Sequence, residues 1–202
     1  ALGVSPRFKL VSADENLDAD LRNWVWKGPI VSGRVTNVML RVPYDSNFAC
    51  RVEQVVFTGQ YMVENVAIAY RHDVYPEDPP VAAYFRYDPG AVENDTIADF
   101  YLTNLLGAGG HQNIHRFPTM AAAMEDLASG EIPAAMGPRG QLEYALTDDS
   151  GIHSPNMPGL GLGKWTLGVA VHFAYRPLAY SVDDAIQAAI SDGRMEQIFT
   201  KF

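Results

Sequence analysis

Leu17, Leu21, Trp24 and Val25 recur at the three-to-four-residue spacing of one helix face, which predicts a helix over roughly residues 15–27. Ser12 with Glu15 three residues on forms a capping box ahead of it, and Gly28-Pro29 stops it. Phe8 to Val11 alternates as a short strand would. Val35–Val42, Gln54–Phe57 and Val63–Tyr70 are short apolar runs rich in β-branched residues and bounded by turn formers, the pattern of buried strands. Val81–Tyr87 reads as a further strand. Thr96 and Asp99 form a second capping box before Ile97, Phe100, Tyr101, Leu105 and Leu106, a helix that glycines 107, 109 and 110 end.

His115–Pro118 reads as a short strand, and Thr119 as the N-cap of a helix from Ala121 to Ala128 that Gly130 stops. Ile132–Met136 is another apolar run and Arg139–Leu146 a further helix. Residues 147–164, rich in glycine with two prolines, read as a loop; Trp165–His172 follows as a strand, with helices at Ser181–Ile190 and Gly193–Phe199. Strands alternating with helices predict an α/β protein with mixed, mainly parallel sheets. The proline-rich stretch His72–Pro80 can continue neither a helix nor a central strand and marks a crossing. The expected division is therefore a first lobe over 1–72, a second over 73–163, and a return to the first over 164–202.

Composition narrows the partners. Fifteen Lys and Arg against 24 Asp and Glu leave a net charge of −9, which repels nucleic acid and anionic membranes. The longest apolar runs fall short of the ~20 residues a spanning helix needs. Cys50, the single cysteine, excludes an intramolecular disulfide and a cysteine metal cluster; it reads as a packed small apolar residue rather than a reactive thiol. His111 and His115 are four apart, but the glycines before them and Phe117-Pro118 after deny the helix that would place both on one face, and no H-E-x-x-H pattern is present. Gly159-Leu160-Gly161-Leu162-Gly163-Lys164 precedes a strand instead of following one, which makes it a return loop and not a phosphate loop. Trp24, Trp26 and Trp165 read as core anchors. No nucleophile, base and orienting group assemble from adjacent motifs, so an enzyme is not expected, nor a cofactor or metal.

Two passages carry a family resemblance. In Arg51-Val52-Glu53-Gln54-Val55-Val56-Phe57-Thr58-Gly59-Gln60-Tyr61 an arginine precedes Phe-Thr by six residues, with Tyr61 following and Gln60 where proline is usual. Leu127-Ala128-Ser129-Gly130-Glu131-Ile132-Pro133-Ala134-Ala135-Met136-Gly137 looks like a helix end, turn and short strand of the same family. Both resemble the family 3 periplasmic solute-binding proteins, which have the two-lobed type II periplasmic-binding fold. Val38 to Asp45, Asn94 to Tyr101 and Met136-Gly137-Pro138-Arg139 resemble the branch associated with quinoprotein (PQQ) methanol or alcohol dehydrogenases.

The resemblance implies a periplasmic protein that closes over a small polar or carboxylate solute and serves a membrane permease of the ABC type. The alternative it implies is an accessory protein that docks a periplasmic quinoprotein dehydrogenase without transporting anything. It also implies that the family's first strand and helix are missing from the first lobe. Arg51 stands where the family holds a ligand carboxylate, and its two parallel donors suit one. Arg41, Tyr44 and Asp45 fall where first-lobe contacts are expected. Asn94, Asp95 and Thr96 precede a helix whose free amides receive anions. Arg139 stands in the neighbourhood where the family places an acid for an ammonium, which disfavours an α-amino-acid ligand. Plainer readings remain open: a solvated loop arginine at 51, a helix cap at 95 and 96, a turn at 43–45.

Overall fold

The computed structural model describes residues 3–11, 16–31, 33–44, 46–109, 111–161 and 163–201, without the side chains of Ala108 and His111. Its strands are β1 (Met39–Tyr44), β2 (Val55–Arg71), β3 (Gly90–Glu93), β4 (Ile114–Phe117), β5 (Ala134–Pro138), β6 (Ser150–His153) and β7 (Lys164–His172). Its α-helices are α1 (Leu17–Leu21), α2 (Ser46–Arg51), α3 (Ile97–Leu106), α4 (Met120–Ser129), α5 (Arg139–Tyr144), α6 (Arg176–Ser191) and α7 (Arg194–Lys201). The fold is mixed α/β. It divides into two compact units, residues 1–63 with 165–202, and residues 64–164. The first division falls inside β2, ahead of the proline-rich stretch where the sequence placed it.

In the first unit β7 lies between β1 and the early part of β2. β1 and β7 run antiparallel, from Met39 opposite Ala170 to Tyr44 opposite Thr166, with a register shift between Leu40 and Val42. Arg41 sits in that bulge at φ +61°, a left-handed conformation that costs a side-chain-bearing residue about 1 kcal/mol. One core cluster joins Leu21, Val25, Val42, Val52, Val55 and Ala170; another joins Val169, Val171, Ala179 and Val182. The first helix begins later than its pattern suggested. Asn16 caps α1 by accepting the Ala19 N–H at 2.9 Å, and the chain then widens into a π-helical turn over Arg22–Trp26. Ser12 and Glu15, the expected capping box, lie outside the described residues. Phe8–Val11 forms no strand.

In the second unit the later part of β2 has β5 on one side and β6 on the other, both antiparallel. β3 runs parallel to β5 and to β4. Small residues Ala67, Ala69, Ala91 and Ala135 on the strands let α4 approach, so Met120, Ala123, Met124 and Leu127 pack on them with Ile132 and Leu142. Thr119 caps α4 by accepting the Ala122 N–H at 3.2 Å, and Gly130 ends it in the left-handed region at φ +88°, both as expected.

The departures have physical causes. From Val55 on, Gln54–Phe57 and Val63–Tyr70 belong to one strand, which continues through Thr58–Met62 although Gly59 is left-handed at φ +56°. Val81–Tyr87 is a 3-10 helix over Ala82–Arg86: its buried members, Ala82 and Phe85, are three apart, and Tyr84 and Tyr87 donate backbone bonds three residues back. β3 and β6 are four residues each, too short for an alternation to register, and β6 lies inside the expected loop.

Tyr75 has its phenol pushed well above the usual range, first by burial and then by its bond to the Asp88 carboxylate at 3.0 Å. A raised acid pKa means the folded state keeps a proton that the unfolded state releases. Stability from this group is intact below the unfolded value of 10.0 and is lost as pH rises beyond it. Tyr75→Phe should therefore flatten the fall in stability above pH ~10, measured as urea midpoints across the alkaline range. An unchanged slope would contradict it.

Candidate functional site

The first unit holds a hollow of about 390 Å³ lined by Asp18, Arg22, Trp26, Arg51, Val52 and Gln54. Sequence spacing builds it. Asp18, Arg22 and Trp26 follow one another at four-residue intervals, and the π-helical turn, with Lys27 donating to the Arg22 carbonyl at 2.9 Å, carries the wider coil beneath them. Leu21 and Val25, wholly buried, anchor the opposite side of the same segment in the core. Arg51 closes α2 and is exposed, its guanidinium 5.8 Å from the Phe48 ring centre. Phe48 in turn meets Phe57 edge-on at 5.8 Å, so the arginine rests on an aromatic support fixed to β2. Val52, 7% exposed, gives the hollow a buried apolar lining. Arg22 donates Nε and Nη2 to the Asn23 side-chain oxygen at 3.3 and 3.0 Å. Neither Arg22 nor Arg51 forms a salt bridge with a described residue.

Among the described residues, Arg51 is the one expected first-lobe residue that reaches this hollow. Arg41 is exposed at the bulge of β1, and its N–H donates to the Tyr61 hydroxyl at 3.1 Å. Burial raises the Tyr61 phenol above its usual range, against the opposing effect of the Arg41 N–H. Tyr44 ends β1 half-buried, opposite Thr166. Asp45 lies outside the described residues.

In the second unit Asn94, Asp95 and Thr96 lead from β3 into α3. The Thr96 hydroxyl donates to the Glu93 carbonyl at 2.7 Å and accepts the Asp99 N–H at 3.5 Å, so the cap is real. Asn94 donates its amide to the Asp95 carboxylate at 2.6 Å. Asp95 is left-handed at φ +60° and is held there by Asp99, whose Oδ2 accepts the Asp95 N–H at 3.2 Å. Asp99, 5% exposed, also accepts from Arg116 Nε at 2.9 Å and from the Thr103 hydroxyl at 3.3 Å. Arg139 is occupied elsewhere, donating to Glu143 at 2.6 Å and to the Ser154 hydroxyl at 3.4 Å. Neither bond joins it to the 94–96 loop.

Sequence reasoning missed Asp18, Arg22 and Gln54 at the hollow, although the 18, 22, 26 stripe was a readable signal. It also missed Arg116 behind Asp99 and the buried Glu64, whose Oε1 accepts the Asn65 and Gly140 N–H groups at 3.0 and 3.2 Å. Cys50 is exposed, contrary to the packed position expected, because α2 buries none of its residues. His111 stands in a 3-10 turn and His115 on β4, so the two do not share a helix. The tryptophans are half-buried; Trp26 packs on the core formed around Leu21. Among the described residues no helix is long and apolar enough to cross a membrane.

No protein-family model matches the sequence, and no curated protein matches it. Solved structures do. An ancestral cationic amino acid solute-binding protein superposes with a TM-score of 0.64 at 18% identity, over 82% of this chain and 68% of that one. A histidine kinase sensor domain with similarity to periplasmic binding proteins gives 0.54 at 21% identity, over 82% and 69%. An ABC uptake transporter substrate-binding protein from Streptococcus pneumoniae, with bound histidine, gives 0.55 at 16% identity, over 80% and 65%. None of these three is described as a partner of a quinoprotein dehydrogenase, so that association rests on the sequence resemblance alone. At such identities the likeness speaks for architecture, and this chain shares the type II periplasmic-binding fold.

Proposed function

We propose that the chain is an extracytoplasmic solute-binding protein that takes a small polar or anionic solute and serves an ABC transporter. The observation that carries this reading is the pairing of that fold with Arg51, a guanidinium supported on Phe48, opening on a hollow and free of any salt bridge to a described residue. A planar fork of donors in such a place suits a carboxylate. Asn94, Asp95 and Thr96 are a second candidate contact, in the other unit, at the start of α3, where the Thr96 hydroxyl already takes the Asp99 N–H and the Ile97 and Ala98 amides are left for an anion. Arg41, Tyr44, Asp45 and Arg139 complete the candidate set with less support.

The test is a thermal-shift and calorimetric screen of the purified chain against amino acids, small carboxylates and neutral analogues. A ligand that binds the folded state raises the midpoint with concentration. Arg51→Ala should weaken binding of that ligand on the order of 10- to 100-fold, the loss of one charge-assisted contact of about 1.5–3 kcal/mol. Wild-type affinity in that variant would remove Arg51 from the site.

A second reading, docking of a periplasmic quinoprotein dehydrogenase, is favoured by the net charge of −9 and by Phe173, Tyr175 and Tyr180, all more than half exposed. An acidic surface steers basic partners, and aromatic residues concentrate at interface centres. Mixing the purified chain with a purified enzyme of that class and finding no salt-sensitive complex would retire it.

A further inference from the structure

We infer that the hollow of the first unit is built for a flat monocarboxylate, an aryl or heteroaryl acid, with Arg22 as a second guanidinium alongside Arg51 and Trp26 as the wall on which the ring stacks. This deepens the solute-binding reading and rests on it.

Charge comes first. In a chain of net charge −9, two arginines from separate segments line one small hollow, and neither has a carboxylate partner among the described residues. Two like charges on one concave surface repel each other, and an anion between them relieves the repulsion. The lining also holds one carboxylate, Asp18. Two guanidiniums against that acid leave a single positive charge, which a monoanion balances and a dianion exceeds.

Shape and polarity then select among monoanions. Trp26 is half-buried and packs on the core that holds Leu21 and Val25. Val52 supplies a buried apolar lining, and the polar lining groups besides the arginines are Gln54 and Asp18. A saturated chain would use the apolar lining but not the ring face; a flat ring uses both. A volume of about 390 Å³ falls at the small end of the ~300–1,000 Å³ common for ligand pockets.

The backbone points the same way. Arg22 opens a π-helical turn and Trp26 closes it. Such turns break the regular bonding of a helix and recur where side chains must be re-aimed for a function. Here the turn brings a charge and a ring from one segment to the same hollow.

The probes are benzoate, its neutral counterpart benzamide, its saturated counterpart cyclohexanecarboxylate, and the twenty amino acids. Each is titrated into the purified chain by calorimetry, with tryptophan fluorescence read in parallel. Benzoate is expected to bind and to perturb the fluorescence, benzamide to fail, and cyclohexanecarboxylate to bind at least several-fold more weakly. Arg22→Gln should weaken benzoate about 10-fold or more, Arg22→Lys should recover only part of it, and Trp26→Leu should erase the preference for the flat ring. Circular dichroism confirms that each variant is folded. If an amino acid or an aliphatic acid binds and Arg22→Gln leaves it untouched while Arg51→Ala does not, the inference is overturned and the solute-binding reading stands. If no compound in the panel binds the folded wild type, both are overturned.

Discussion

Replacing Phe85 by alanine is expected to lower the unfolding free energy by about 3–5 kcal/mol, the range for deleting a buried phenylalanine. The ring is wholly buried in the second unit, on the 3-10 helix that the alternation pattern had suggested as a strand. Gly90, at the start of β3, is a glycine because of it: a Cβ there would stand 2.7 to 2.9 Å from three ring atoms. Gly90→Ala alone should therefore cost about 1–3 kcal/mol by overpacking. In the Phe85→Ala background the added methyl enters vacated space, so the double variant should be more stable than the sum of the single losses implies. Equilibrium urea unfolding of the four proteins measures this directly. Strict additivity would mean that the two residues do not share the contact.

The second large effect is at Arg116. Its guanidinium is the cation for Asp99, a carboxylate whose side chain is 7% exposed and which also holds Asp95 in its left-handed conformation. Arg116→Ala leaves that carboxylate buried with only the Asp95 and Thr103 donors from the set described above. Removing one partner of a buried pair costs about 3–5 kcal/mol, and the lower end applies because Arg116 is itself one-third exposed. Arg116→Lys keeps the charge without the fork and should recover part of the loss. Thermal or urea unfolding gives the comparison. A loss below ~0.5 kcal/mol for Arg116→Ala would show that the Asp99 carboxylate does not depend on this partner.

These cases mark where the sequence could be read and where it could not. Local chemistry was legible. Thr96, Thr119 and Gly130 each performed the capping role their residue types imply, because a cap is decided within about four residues, whereas Asp99 accepts the Asp95 N–H in place of the Thr96 N–H of a capping box. Long helices and the apolar strands β5 and β7 were legible for the same reason. Elements decided by distant partners were not. β6 exists because β2, far from it in the sequence, offers it an edge. The candidate site divides in the same way. Arg51 was reachable through a motif, whereas Arg22 and Trp26 meet it only after the chain has folded back, although their four-residue spacing was visible from the start. Cys50 shows the opposite failure: a residue type that is usually buried sits on a helix that buries nothing.

The division of the chain also bears on how the protein is made. Residues 64–164 form the second unit without interruption, whereas the first must recruit residues from both ends of the sequence. Met39 meets Ala170 across the whole intervening unit. During synthesis the middle unit can therefore collapse while the earlier residues still wait for β7 to leave the ribosome. A middle unit already folded also shortens the effective loop that must close when β1 finds β7, which lowers the entropic cost of that late, distant pairing. Translation that halts before Trp165 would leave β1 and the start of β2 without the strand that lies between them, and their apolar residues exposed to aggregation.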